Sequence, residues 1–260
     1  MNRTLDGVTV VVTRPAAQSA RFIELATAAG ATCLAYPTLL IEPLALAPET
    51  LAQLQQRRWD WAVFTSTNAV SLALANVARP LAAKNAAVGR ATARALEQAG
   101  VTVDARPENA TSEGLLALPE FAQMTGRSVL LVKGAGGRDL LPTELRIRGA
   151  AVLELEVYRR VVSEPTAAAA AALHDALGSG RPVIVTVTSA EILRALLDGV
   201  ASADAARLRE QPLVVPGSRV ALEALRQGWT GPLTHAATAE DEAMISALAR
   251  AAATGPPPAA

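Results

Sequence analysis

The chain has one cysteine, two histidines and two lysines in 260 residues. A single cysteine, Cys33, excludes a disulfide framework and a cysteine-based zinc site. It falls in a short apolar stretch and is expected to pack as a small core residue. His174 and His235 do not suggest a catalytic pair, and His174 lies within an alanine-rich helical stretch. No metal is expected. With only Lys84 and Lys133, nearly all positive charge is arginine, whose planar fork suits carboxylates; a general Ala/Arg bias would give the same count. Formal net charge is zero, so no nucleic-acid partner is expected. No apolar run is long enough to span a membrane, and the first six residues hold no signal-peptide core. The protein is therefore expected to be cytoplasmic, with no membrane partner. HExxH, CxxC, GxSxG and a GKS or GKT phosphate loop are all missing. Gly134-Ala135-Gly136-Gly137-Arg138-Asp139 resembles a dinucleotide fingerprint, but Asp139 stands where the third glycine belongs. No cofactor is expected from so partial a match.

What is present is a divided repeat. Gly7-Val8-Thr9-Val10-Val11-Val12-Thr13-Arg14 returns as Gly126-Arg127-Ser128-Val129-Leu130-Leu131-Val132-Lys133, and each copy runs on to a Gly-Ala pair, Gly30-Ala31 and Gly149-Ala150. Ala62-Val63-Phe64-Thr65-Ser66 then returns as Val185-Thr186-Val187-Thr188-Ser189, and Val88-Gly89 with Gly100 as Pro216-Gly217 with Gly228. The units are too long for solenoid repeats. They imply two similar domains, and two facing domains make a cleft.

Short β-branched runs alternate with helical spacing throughout. Strands are expected at 8–13, 31–35, 61–64, 86–88, 101–104, 128–132, 151–157, 183–187 and 213–215. Helices are expected at 16–29, 67–74, 92–99, 112–118, 138–148, 166–177, 190–197, 219–227 and 241–252. Continuous apolar strands separated by helices indicate an α/β fold with parallel sheets covered on both faces. Two extended segments, 38–42 and 157–161, are candidate interdomain connections. If both cross, domain 1 comprises 1–37 and 162–253, and domain 2 comprises 43–156. The repeat alone leaves two tandem domains equally open. The tail, 254–260, is expected to be disordered.

Ligands of parallel α/β sheets bind beyond the carboxyl ends of the strands. Short polar or glycine-containing turns recur there: Thr13-Arg14, Thr65-Ser66 with Asn68, Gly89 with Thr92, Lys133-Gly134 with Arg138, Thr188-Ser189, and Gly217-Ser218. A helix N-terminus leaves backbone N–H groups free to receive an anion. Any one of these residues is also an ordinary helix cap, but six such turns in two domains suggest a shared anion-binding cleft. Ser112 and Thr238 complete the candidate binding set. Tyr158, in Val157-Tyr158-Arg159-Arg160, is the candidate catalytic group. Cationic neighbours would lower its pKa from about 10 and make it a better acid; packing at a domain edge would explain it equally well.

Taken in order, these motifs resemble the uroporphyrinogen-III synthase family over nearly the whole chain. The motifs are Val12-Thr13-Arg14-Pro15, Phe64-Thr65-Ser66-Thr67-Asn68-Ala69-Val70, Val88-Gly89 with Thr92-Ala93, Ser112-Glu113-Gly114-Leu115, Gly134 to Arg138, Val157 to Arg160, Thr188-Ser189 and Pro216-Gly217-Ser218. Two departures are Thr67, where the family often has proline, and Lys133, where it often has arginine. The resemblance implies two α/β domains joined by a two-stranded connection, with the crossing arrangement above. It implies a cofactor-free enzyme acting on hydroxymethylbilane, a linear tetrapyrrole with eight carboxylates. Ring D is inverted and the macrocycle closes with loss of water. A monomer is expected, with possible transient handover of substrate from hydroxymethylbilane synthase. Two rivals remain at this level: a non-catalytic two-domain anion- or tetrapyrrole-binding regulator, and a nucleotide-dependent transferase.

Overall fold

The computed structural model describes residues 4–76, 81–137 and 139–254. The expected disordered tail lies outside them, apart from Thr254. Ten strands are present among the described residues: β1 (Thr9–Val12), β2 (Thr32–Ala35), β3 (Leu39–Pro43), β4 (Trp59–Phe64), β5 (Ala82–Ala87), β6 (Ser128–Gly134), β7 (Ala151–Val162), β8 (Val183–Thr186), β9 (Leu213–Pro216) and β10 (Leu233–Ala236). They form two five-stranded sheets, ordered β10-β9-β8-β1-β2 and β3-β7-β6-β4-β5. The chain divides into two compact units, Met1–Leu40 with Val161–Ala260, and Ile41–Arg160.

The repeated sequence is a repeated topology. β1 and β6 correspond, as do β2 and β7, β8 and β4, and β9 and β5. Beyond β5, Ala105 bridges to Ala86 in parallel and stands where β10 stands in the first unit. Apart from β3 at the edge of the second sheet, the strands of each sheet run parallel, in the flavodoxin-like order once the second unit is read as a circular permutation. The duplicated glycines are geometrically alike as well. Gly30 and Gly149 have φ of 102° and 91°, the left-handed conformation that ends a helix without Cβ strain.

Each sheet is apolar on both faces because both are covered. On β1, Val11 packs with Leu193, Leu196 and Val220 on one side, while Val10 and Val12 meet Phe22, Ala247 and Leu248 on the other. On β6, Leu130 and Val132 join Phe64, Val70 and Leu96, while Val129 and Leu131 join Leu115, Phe121 and Leu145. Alternate residues of a strand point to opposite faces, so two covered faces require an unbroken apolar run. Each fully buried leucine or valine contributes about 1.5–3 kcal/mol.

The connection between units is two-stranded. Leu44 N–H donates to Val157 and Ser163 N–H donates to Thr38. One strand's numbers rise as the other's fall, so β3 and β7 pair antiparallel. Arg159 Nε donates to Glu42 across the same ribbon at 2.8 Å.

Several expectations need correction. Residues 101–104 do not form a strand; only Ala105 makes a bridge. Side chains interrupt the ladder there: the Asp104 N–H still donates to the Asn85 carbonyl, but the Asp104 carboxylate takes the Asn85 N–H at 2.8 Å, and the Asn85 amide donates to the Thr102 carbonyl. The single helix expected at 16–29 is a 3-10 turn, Ala16–Gln18, followed by Ala20–Ala28, with Ser19 Oγ donating to the Pro15 carbonyl at the join. Helices Pro48–Gln55 and Ser202–Arg209 and strand β10 were not anticipated. The last two are short and polar, and His235 breaks the apolar run of β10.

Candidate functional site

In a doubly wound sheet the binding crevice opens where successive connections leave in opposite directions. In the first unit that point lies between β1 and β8, and in the second between β6 and β4. Each unit brings two of the expected turns to its own point.

In the first unit these are Thr13-Arg14 and Thr188-Ser189. Thr13 is fully buried, and its hydroxyl donates to the Thr186 carbonyl at 2.6 Å. Thr186 answers with a hydroxyl bond to Val11 at 2.9 Å. Thr13 therefore staples β1 to β8. Arg14 is 8% exposed. Its guanidinium pairs with Asp241 and stacks 4.7 Å over the Phe22 ring. It ties the end of β1 to the start of helix Asp241–Thr254 rather than standing open to solvent. Thr188 is half-buried, and Ser189 caps helix Ala190–Gly199 by accepting the Ile192 N–H at 3.2 Å. After β9, Gly217 opens helix Gly217–Arg226 at φ 74°, with nothing within 4 Å of a would-be Cβ. Its backbone conformation, not close approach, calls for glycine. Ser218 and Thr238 are exposed, and Thr238 Oγ1 accepts the Glu240 N–H.

In the second unit the turns after β4 and β6 meet Tyr158. Thr65 donates through its hydroxyl to the Val132 carbonyl at 3.3 Å. Ser66 Oγ accepts the Ala69 N–H at 3.1 Å, capping helix Thr67–Asn76, and lies 3.0 Å from the Tyr158 hydroxyl. Asn68, half-buried, follows in the first turn. Gly134 ends β6 beneath the Tyr158 ring. Gly89 is the extended N-cap of helix Arg90–Gln98, and a Cβ there would come within 3.2 Å of Ala110. Thr92 is buried inside that helix.

Other residues take different roles. The N-cap of helix Ser112–Leu116 is Thr111, which accepts the Gly114 N–H at 2.9 Å; Ser112 follows it, half-buried. Lys133 is 8% exposed, and its ammonium donates to Glu154 at 2.9 Å, with Glu156 at 3.7 Å. Burial works against ionisation of Glu154, but hydrogen bonds from Lys133 and Arg146 hold its carboxyl below the usual range. Lys133 shares its sheet face with Val129 and Leu131, opposite the face of Gly134. Its charge is internally matched. Arg159, expected beside the Tyr158 phenol, is committed to Glu42. Arg138 lies outside the described residues.

The missed partners left traces. Glu154 and Glu156 alternate on one strand face, a spacing that can clasp a cation on the neighbouring strand. Asp241 sits among acidic residues at a helix start, where the helix dipole alone explains it; only the tertiary fold reveals Arg14. A cavity of about 440 Å³ lies beside β5, lined by Phe64, Leu74, Leu81, Asn85, Val101 and Asp104. Among the described residues no cluster of three or more His, Cys, Asp or Glu could hold a metal, and no helix is long and apolar enough to cross a membrane.

The comparisons agree with this architecture. The family described as Uroporphyrinogen-III synthase HemD matches residues 20–246. Uroporphyrinogen-III synthase of Salmonella typhimurium is 31% identical over 257 residues, covering 93% of this chain and all of that one. A crystal structure of a mutant uroporphyrinogen III synthase from Thermus thermophilus superposes with a TM-score of 0.58 at 25% identity, over 95% of this chain and 99% of that one. The uroporphyrinogen-III synthetase of Helicobacter pylori shares the fold, at a TM-score of 0.58 and 19% identity, over 93% of this chain and 97% of that one. The match spans both units, and the chain belongs to the uroporphyrinogen-III synthase family.

Proposed function

We propose that this chain cyclises hydroxymethylbilane to uroporphyrinogen III, with Tyr158 assisting loss of the ring-A hydroxyl. Membership of the family supports the activity. The contact of Tyr158 with the helix-capping Ser66, at the switch point of the second unit, supports the role of the phenol. Proton donation to the hydroxyl releases water and leaves a cationic azafulvene. Ring D attacks through its substituted carbon, and the spiro intermediate fragments and recloses with ring D inverted. A proton is lost at the end, so the sum is loss of one water with no change in oxidation level. The reaction calls on no redox cofactor.

Spontaneous closure gives the uninverted type I isomer, so the enzyme must steer as well as accelerate. Holding reactants in one geometry does both. Helix N-termini beginning near Ser66, Gly89, Ser189 and Gly217 offer backbone N–H groups to carboxylates. Because Arg14 and Lys133 are already paired, these backbone groups carry more of the expected binding than either cation. The reading includes a cytoplasmic monomer that receives its substrate from hydroxymethylbilane synthase. A coupled assay that makes hydroxymethylbilane in situ, with isomers resolved, is expected to give type III product from chelator-treated, nucleotide-free protein. Type I alone would overturn the assignment and leave the binding-protein reading.

Backbone binding has a second expected result. Thr188→Ala and Ser189→Ala lower kcat/KM by less than about tenfold, since the N–H groups remain. Ser189→Ala also costs about 1 kcal/mol of stability through the lost cap, read by urea unfolding. Abolished turnover in either folded variant would indicate nucleophilic catalysis instead.

A further inference from the structure

We propose that Gly134 is a positioning residue for Tyr158. The missing side chain and a one-residue slip in β7 together bring the phenol to Ser66. This rests on the role given to Tyr158 above.

The pairing of β6 with β7 is regular from Ser128↔Ala151 to Lys133↔Glu156, then slips, so that Gly134 faces Tyr158. Val157 is the extra residue. Without the slip, Tyr158 would continue the series Val152, Glu154, Glu156 and emerge on the Lys133 face. A slip of one residue exchanges the faces. Val157 and Tyr158 consequently both pack with Leu155, Phe64 and Val132, and the phenol reaches Ser66.

The ring can lie there only over a residue without a Cβ. A Cβ on Gly134 would stand 2.5 Å from Tyr158 Cζ and 2.9 Å from its hydroxyl oxygen. Gly134 is not among the glycines with positive φ, so its backbone would accept alanine. The ring is the nearest obstacle to a side chain. The Ala135 N–H also donates to the Tyr158 carbonyl at 2.7 Å, which holds the β7 backbone against the same turn. Neither device binds substrate; both fix where the hydroxyl stands.

Three measurements test this. Gly134→Ala is expected to lower kcat by about as much as Tyr158→Phe, on the order of 10²-fold, with KM changed less than about threefold. In the Tyr158→Phe background the same substitution should add less than about threefold, because residues acting as one unit are not additive. Fully multiplicative losses would overturn the proposal and return Gly134 to a direct substrate contact. The chain has two tyrosines, Tyr36 and Tyr158. Tyrosine ring-labelled protein should therefore give two NMR signals, and Gly134→Ala should move only that of Tyr158. This readout needs no catalysis. If Tyr158→Phe turns over at the wild-type rate, the catalytic reading fails while the spectrum still tests positioning. An unmoved Tyr158 signal overturns the positioning itself. If Gly134→Ala does not fold, Gly134→Ala with Tyr158→Ala should fold, because the obstructing ring is gone. Failure of that double variant would also overturn the proposal.

Discussion

Tyr158→Phe slows turnover of hydroxymethylbilane by about 10²-fold and leaves the product type III. General acid catalysis is typically worth about 10²–10⁴-fold. The lower end applies because the ring-A hydroxyl departs from an electron-rich pyrrole that ionises readily. Tyr158 is 3% exposed and packed with Leu155, Val157 and Phe64, and phenylalanine fills the same space. Ser66 keeps the Ala69 N–H, so the helix start survives. Thermal unfolding should be nearly unchanged, and isomer choice persists because it is spread over many turns. A wild-type rate would remove the phenol from the mechanism. Type I product at an unchanged rate would reassign it to holding ring D.

The second large effect is on stability. Asp241→Ala leaves the Arg14 guanidinium, 9% exposed in its side chain, without its carboxylate. Removing one partner of a buried pair costs about 3–5 kcal/mol. Asp241 keeps 20% of its side-chain surface, so water screens part of this and about 2–3 kcal/mol is expected. The contact with Phe22 and a bond to the Ala239 carbonyl remain; neither supplies a counter-charge. Calorimetry should show a fall of about 5–10 °C in the melting of the first unit. Arg14→Met with Asp241→Leu should recover much of it, since apolar replacement of a buried pair is often neutral. An unchanged melting temperature in Asp241→Ala would mean that Arg14 is as well solvated without its partner.

The units were legible because parallel strands covered on both faces leave continuous signals. Val10-Val11-Val12 and Leu130-Leu131-Val132 stand out with no other information, and the glycines after them mark the helix ends. The turns were legible for a related reason: the chain must change direction there, and few residue types allow it. Side-chain destinations were not legible. Thr13, Arg14 and Lys133 stand at or beside the carboxyl ends of β1 and β6, yet each reaches a partner more than twenty residues away in sequence, at Thr186, Asp241 and Glu154. Only the Lys133 pairing leaves a mark in spacing, through the alternation of Glu154 and Glu156; those of Thr13 and Arg14 leave none. The slip in β7 was hidden too, since Val157-Tyr158 reads as unbroken strand until its neighbour is known.

The order of the strands has a consequence for synthesis. β1 pairs with β8 through Val10↔Ile184 and Val11↔Val185, so the centre of the first sheet joins segments made far apart in time. The stretch Ile41–Arg160 is continuous and complete as it leaves the ribosome. The first forty residues must wait for it, with the apolar edge of β1 unpaired on the side that β8 will occupy. Contacts of such separation form slowly, and an unpaired apolar edge is the species most exposed to aggregation. The β3–β7 ribbon shortens the wait: once Val157 and Ser163 have zipped onto Leu44 and Thr38, the two halves of the first sheet are tethered at its edge, and closing β8 onto β1 becomes a local event.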